Sequence, residues 1–141
     1  MNRRRATAGL TTLELVLVLA LAGILGSLSF THWRGYTAQR NLRYGVVRVA
    51  TDLRQAQERA KSERVPYTVT FSTLASGYTI AGGGFTENTT LPAGTVVVTG
   101  QVVTFDAFGR PGAAYTITVQ GPTGTGTAMV NATGGITYQA P

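Results

Sequence analysis

Few residue types in this chain can do covalent or metal chemistry. The 141 residues contain no cysteine and a single histidine, His32. Disulfides, thiol nucleophiles, iron–sulfur clusters, Cys/His pairs and multi-histidine metal sites are therefore excluded. We predict that the protein is not an enzyme and that it holds no cofactor and no metal.

The carboxylate of Glu14 is distinctive because of the sequence around it. It directly precedes Leu15–Thr31, a run of 17 uncharged and mostly apolar residues. An unpaired carboxylate in an apolar environment is costly, so such a residue marks function or is neutralised by a partner. The alternative is a local role, in which Glu14 at the start of a helix interacts with free N–H groups and with the helix dipole.

The N-terminal region has the charge pattern of a membrane anchor. A helix over residues 10–31 is roughly 30 Å long, which matches the hydrocarbon thickness of a bilayer. Residues 1–9 carry a charge of +3 from Arg3–Arg5, which predicts a cytoplasmic N-terminus and export of the chain beyond the helix. An ordinary secretory signal peptide, cut after Ala22 or Ser29, is the alternative.

The segment from Gly9 to Leu15, GLTTLEL, resembles the processing signal of type IV pilins and type II secretion pseudopilins. The resemblance implies that a prepilin peptidase cuts after Gly9 and N-methylates Leu10, where the family usually has phenylalanine. Glu14 matches the glutamate at the fifth mature position of that family. It would pair with the α-amino group of a neighbouring subunit and so fix the axial register between packed helices.

A second, amphipathic stretch follows the apolar one. Apolar residues recur at a helical spacing and predict one buried face, formed by Leu42, Val46, Val49, Leu53, Ala56 and Ala60. Pro66 ends the helix, so the whole helix is predicted to run from about Leu10 to Arg64. Residues 65–141 are rich in Thr, Gly and Val and contain three charged residues. They predict a β-domain with strands near 67–72, 77–81, 95–99, 102–105, 114–120, 128–131 and 136–138.

The amphipathic helix also carries most of the positive charge of the chain, since residues 31–64 have a net charge of +5. The angular positions of its basic residues group Arg40, Arg43, Arg54 and Lys61 on one side. These four residues are candidate contacts to DNA or to anionic headgroups. The alternative is a solvated face with the intrahelical pairs Arg48–Asp52, Arg54–Glu58 and Arg59–Glu63.

The resemblance narrows within the C-terminal two thirds of the chain to the GspH/FimT type of minor pseudopilin. The residues that carry it are Leu53–Ala60, Val65–Phe71, Val103–Arg110 and Thr133–Ile136. The resemblance implies an α+β, pilin-like fold, in which one long helix packs its C-terminal half on an antiparallel β-sheet domain. The implied organisation is a leader (1–9), a transmembrane and assembly helix (10–31), its amphipathic continuation (32–64) and a β-rich domain (65–141).

The implied function is that of a structural and assembly subunit of a type II secretion pseudopilus or a type IV pilus. Its expected partners are the prepilin peptidase, other subunits of the filament or tip complex, and the bacterial inner membrane. We expect a single-pass protein of the plasma membrane whose β-domain is exported to the envelope. The alternative is a pilin-like competence subunit that binds DNA, although Gly134–Tyr138 lacks the basic residues that DNA-binding members carry at this place.

Overall fold

The computed structural model describes residues 11–140, and it leaves the side chains of residues 28–32 outside the description. The described residues form an α+β structure with one helix and eight strands. The helix α1 spans Thr12–Glu63. The strands are β1 (Tyr67–Phe71), β2 (Gly77–Gly82), β3 (Phe85–Thr90), β4 (Val96–Val97), β5 (Gln101–Phe105), β6 (Tyr115–Gly121), β7 (Gly124–Val130) and β8 (Ile136–Gln139).

The C-terminal half of α1 supplies the helical side of the hydrophobic core. All six apolar residues predicted to share one helix face, from Leu42 to Ala60, are fully buried, so this prediction is confirmed. They join the inward-facing residues of the strands in a single cluster, whose largest fully buried side chains are Tyr67 and Phe105. By its internal contacts the chain divides between Gly35 and Tyr36, and this core lies entirely in the second unit.

The helix ends where its backbone turns left-handed. Arg64 follows the last helical residue with φ 58°, the conformation that closes many helices. Pro66 then prevents continuation, because it lacks the N–H that the helical ladder needs. The predicted end of the helix at about Arg64 is therefore confirmed to within one residue.

The β-domain consists of two antiparallel four-stranded sheets, where the sequence predicted one sheet. The strand orders are β3-β2-β1-β5 and β4-β6-β7-β8. β4 and β5 are consecutive in the chain but belong to different sheets, so the chain crosses between sheets at residues 98–100. Two isolated bridges link strands to loops: Ala75, between β1 and β2, pairs with Val97 of β4, and Pro111, between β5 and β6, pairs with Phe105 of β5.

Strand β3 was not predicted from the sequence. Its residues, FTENTT, are polar and follow three glycines that indicate a loop. In the structure Gly83 and Gly84 alone form the turn, with φ of 57° and 81°, as a two-residue type I′ hairpin requires. This turn pairs Gly82 with Phe85 and makes β3 the outer strand of its sheet.

Candidate functional site

The start of α1 is fixed by a side-chain cap. The N–H of Glu14 donates to Oγ1 of Thr11 at 3.3 Å, and the N–H of Leu15 donates to the Thr11 carbonyl at 3.1 Å. Thr11 therefore occupies the N-cap position, and Glu14 lies in the first helical turn, where a negative charge complements the helix dipole. The position of Glu14 in the first turn fits the predicted interaction with the helix dipole, whereas the cap bond itself uses the backbone N–H of Glu14. Gly9 and Leu10, the predicted processing site, lie outside the described residues.

The first half of α1 exposes its apolar side chains on every side. Nine large apolar residues between Leu13 and Leu25 are each more than half exposed, and Leu13 reaches 75%. Leu15–Leu19 are five such residues in succession, so the exposure is not confined to one face of the helix. Among the side chains that the structure describes, no helix has an apolar stretch long enough to cross a membrane. The predicted span of residues 10–31 extends at both ends onto residues outside that description.

Two of the predicted basic contacts line a groove on α1. Arg40 and Arg43, together with Tyr36, Tyr44 and Val47, surround an open space of about 440 Å³. Arg40 donates from Nη2 to the Tyr44 hydroxyl at 3.1 Å, and its guanidinium lies 5.8 and 5.6 Å from the ring centroids of Tyr36 and Tyr44. The hydrogen bond raises the pKa of Arg40 and lowers the pKa of Tyr44. The groove therefore offers a cation held between two phenol rings.

The other two predicted basic contacts have partners inside the protein. Arg54 donates from Nη2 to the carbonyl of Ile136 at 2.9 Å, so it ties the helix to the first residue of β8. Lys61 forms an ion pair with Glu58 at 2.8 Å. The structure thus brings Arg40 and Arg43 together in one groove, whereas Arg54 and Lys61 interact elsewhere along the helix.

The predicted intrahelical ion pairs are only partly observed. Arg48 Nε lies 3.3 Å from Asp52 Oδ2, which confirms the first pair. Arg59 instead stacks its guanidinium 4.0 Å from the ring centroid of Phe85. Glu63 accepts a hydrogen bond from the Tyr67 hydroxyl at 2.7 Å.

A buried polar contact joins the helix to the first sheet. The hydroxyl of Tyr78 donates to Oδ2 of Asp52 at 2.7 Å, and both residues are buried. Burial, and next the hydrogen bond to a carboxylate, raises the pKa of Tyr78 far above its ordinary value. The phenol therefore stays protonated. Its hydrogen bond offsets part of the free-energy cost of burying the Asp52 side chain.

A second buried contact, which we call the Gln57 latch, was missed from the sequence. Nε2 of Gln57 donates to two backbone carbonyls, that of Gly109 at 2.8 Å and that of Gly134 at 3.0 Å. Each carbonyl belongs to a tight loop, residues 106–110 before β6 and residues 131–135 before β8. One buried amide thus fixes the helix against both loops.

The two loops held by the latch have the same construction. In the first, Asp106 Oδ1 accepts from the N–H groups of Phe108 and Arg110 at 2.9 and 2.8 Å. In the second, Asn131 Oδ1 accepts from the N–H groups of residues 133 and 135 at 3.1 and 2.6 Å. Each loop has its glycine at the fourth position with a left-handed backbone, φ 73° for Gly109 and 91° for Gly134. The signal in the sequence is the repeated pattern Asp/Asn-Ala-x-Gly, seen as DAFG and NATG.

These contacts hold the C-terminal half of α1 against the β-domain. Within residues 11–140, no three His, Cys, Asp or Glu side chains gather where they could hold a metal ion. The Asp106 carboxylate has its Oδ1 engaged by two loop N–H groups. Comparison of the chain with models of protein families, with curated proteins and with solved structures gives no match.

Proposed function

We propose that the protein is a minor pseudopilin of the GspH/FimT type, a structural and assembly subunit of a type II secretion pseudopilus or a type IV pilus. The observation that carries the proposal is the apolar half of α1, whose large side chains are exposed on all sides of the helix. A helix that is apolar all round is stable in a bilayer or among other apolar helices, and not in water. A pilin-like subunit is first inserted in the membrane and then assembled in a filament. Its apolar helix is therefore surrounded first by lipid and later by other apolar helices.

The remainder of the chain supports the same proposal. Glu14 lies in the first turn of this apolar helix, where it is exposed and able to receive a positive group from outside the chain. After cleavage at Gly9 the α-amino group of Leu10 would supply such a charge, since its ordinary pKa is about 7.7 to 8.0. The helix then continues into a β-domain that buries the amphipathic half of α1, so one element serves for both anchoring and display.

Processing gives the direct test of this proposal. The full chain is expressed with and without a prepilin peptidase, extracted from membranes, and analysed by intact mass and N-terminal sequencing. We expect a peptidase-dependent start at N-methylated Leu10, and a Gly9→Leu variant that stays unprocessed. A start after Ala22 or Ser29 contradicts the proposal, because it would remove the apolar helix and leave an exported β-domain.

The role of Glu14 in assembly needs a separate test. Thr11 makes its cap bond to the backbone N–H of Glu14, so a Glu14→Gln variant keeps the cap and loses only the charge. We expect this variant to be processed at Gly9 but to fail to co-purify with the other subunits. A Thr11→Ser variant, which keeps the capping hydroxyl, is the matched control and should co-purify normally.

The Tyr36–Tyr44 groove favours a second candidate function, the binding of DNA by a competence subunit. Two tyrosine rings next to Arg40 and Arg43 provide both stacking surfaces and positive charge. We expect salt-dependent binding of single-stranded DNA by the full chain in detergent, weakened by Arg43→Gln. The control is Arg48→Gln, because Arg48 is already paired with Asp52. A flat binding isotherm at low salt would remove this candidate.

A further inference from the structure

Phe108 is an exposed aromatic side chain on a rigid loop. It is 62% exposed, although its loop is held by the two hydrogen bonds to Asp106 and by a third from the Gly109 N–H to the Asp106 carbonyl at 2.8 Å. The Gln57 latch also fixes this loop, through the carbonyl of Gly109. These hydrogen bonds set the backbone position of Phe108 while most of its side chain stays exposed.

The second loop held by Gln57 shows that this geometry does not need an aromatic residue. Thr133 stands where Phe108 stands in the first loop, and Gly135 stands in the place of Arg110. The Thr133 hydroxyl donates to Asn131 Oδ1 at 2.8 Å, so it serves its own loop. In the first loop, the recorded hydrogen bonds use the backbone N–H groups of Phe108 and Arg110 and not their side chains.

The side chain of Arg64, the residue that closes α1, lies at the same place. Its backbone is left-handed, with φ 58°, a conformation that glycine adopts freely and other residues adopt at a cost. Its guanidinium lies 5.6 Å from the centroid of the Phe108 ring. Among the described residues, neither Arg64 nor Arg110 forms an ion pair with a carboxylate.

We infer that Arg64, Phe108 and Arg110 form a docking knob for another protein, which presents an apolar pocket rimmed by carboxylates. Exposed aromatic and arginine side chains on a preorganised backbone are the residues that dominate the binding energy of protein interfaces. Arg64, 5.6 Å from the ring centroid, and Arg110, two residues after Phe108 in the loop, form no ion pair among the described residues, so a partner with acidic groups complements their charge. This inference rests on the proposed function, for which the partner is an adjacent subunit of the filament.

Site-specific photocrosslinking tests the knob in the full chain. A benzoyl-phenylalanine replaces Phe108 in cells that assemble the machine, and the same group at Thr125, an exposed residue of β7, serves as the control. We expect a protein adduct from position 108 and none from position 125, with acidic residues in the crosslinked peptide. The adduct should be lost when Arg64→Glu and Arg110→Glu are added, and restored when the acidic residues of the partner are changed to lysine.

A Gly substitution separates docking from folding. Arg64→Gly relieves the left-handed backbone, so the melting temperature of the full chain should not fall, while the yield of the adduct from position 108 should. An adduct that persists in an Arg64→Gly, Arg110→Gln double variant overturns the inference. Equal adducts from positions 108 and 125, or an adduct with lipid or nucleic acid instead of protein, overturn it as well.

The N-terminus of the same protein sample distinguishes the two proposals. A chain that starts at N-methylated Leu10 but gives no adduct from position 108 overturns the docking knob and leaves the proposed function intact. A chain that starts after Ala22 contradicts the proposed function, and it also overturns the filament subunit as the partner.

Discussion

Replacing Gln57 by leucine should destabilise the β-domain more than replacing an exposed polar residue on the same helix. Leucine has a similar volume, but it removes both hydrogen bonds from Nε2, to Gly109 at 2.8 Å and to Gly134 at 3.0 Å. Each such bond contributes about 0.5 to 1.5 kcal/mol net. The carbonyl of Gly109, a buried residue, also loses its partner, which costs about 1 to 3 kcal/mol. Together these contributions predict that the free energy of unfolding falls by about 2 to 6 kcal/mol.

Thermal unfolding of the full chain in detergent, followed by circular dichroism in the β region, measures this loss. For a domain of this size we expect a drop in melting temperature on the order of 10 °C. Gln55→Leu is the matched control, since Gln55 is on the same helix and exposed. Its effect should stay within about 0.5 kcal/mol.

A Gln57→Glu variant tests whether the donor is what matters. The carboxylate has the same shape but offers only acceptors to two carbonyls, so the variant should be destabilised at neutral pH. Folding then raises the pKa of this carboxyl group. Stability should be regained as the pH falls through this raised pKa, and the gain should be complete below the unfolded glutamate pKa of about 4.3, because the protonated acid can donate one bond. Equal melting temperatures for Gln57→Leu and Gln55→Leu would refute the latch.

Three further predictions concern the packing of the helix against the sheets. Gly45→Ala should stabilise the protein by about 0.5 to 1 kcal/mol in urea unfolding, because the added Cβ would lie at ordinary contact distances of 3.5 Å from Thr95 and 3.6 Å from Pro92; a loss of stability would contradict this packing. Folding raises the pKa of Tyr78, so its contribution to stability is complete below the unfolded tyrosine pKa of about 10 and declines above it. Tyr78→Phe should flatten that decline in unfolding experiments above pH 10, and an unchanged slope would argue against the buried phenol. Arg54→Ala should lower stability by about 1 kcal/mol through loss of the bond to Ile136, whereas Arg43→Ala, at an exposed position, should leave the urea midpoint unchanged.

The sequence predicted the parts of the fold that depend on periodicity. All six residues that the spacing from Leu42 to Ala60 assigned to one helix face are buried. Burial of one face of a helix requires this spacing, so the pattern in the sequence locates the face. Strands with alternating Val and Thr, such as β1 and β6, were located to within one residue at each end. Both predictions depend on local patterns that tertiary contacts reinforce.

The elements that depend on distant partners could not be predicted in the same way. β3 has little hydrophobic alternation, and it becomes a strand because the turn at Gly83 and Gly84 places it beside β2. Nothing local in residues 98–100 shows that the chain changes sheets there. In the latch, Gln57 binds two loops that lie 52 and 77 residues further along the chain. The period of the helix cannot show which distant groups a helical side chain binds.

The same limit applies to the basic residues. Helical angles placed Arg40, Arg43, Arg54 and Lys61 on one side, and the angles were derived from an ideal helix. Angular position does not reveal which of these basic side chains form contacts inside the protein. The carbonyl of Ile136 lies within 2.9 Å of Arg54, and this acceptor belongs to a strand that the helical pattern cannot locate.

The two loops under the Gln57 latch separate what the fold requires from what it permits. Both need an Asp or Asn at the first position for its oxygen, and both need glycine at the fourth for its left-handed backbone. The position before the glycine is unconstrained by these requirements, since it is Phe108 in one loop and Thr133 in the other. A Phe108→Thr change copies a residue that the same geometry already accepts, so it should leave the latch and the melting temperature intact. If the exposed ring has a purpose, that purpose must lie outside the fold, and a variant of unchanged stability is the one in which its loss can be measured.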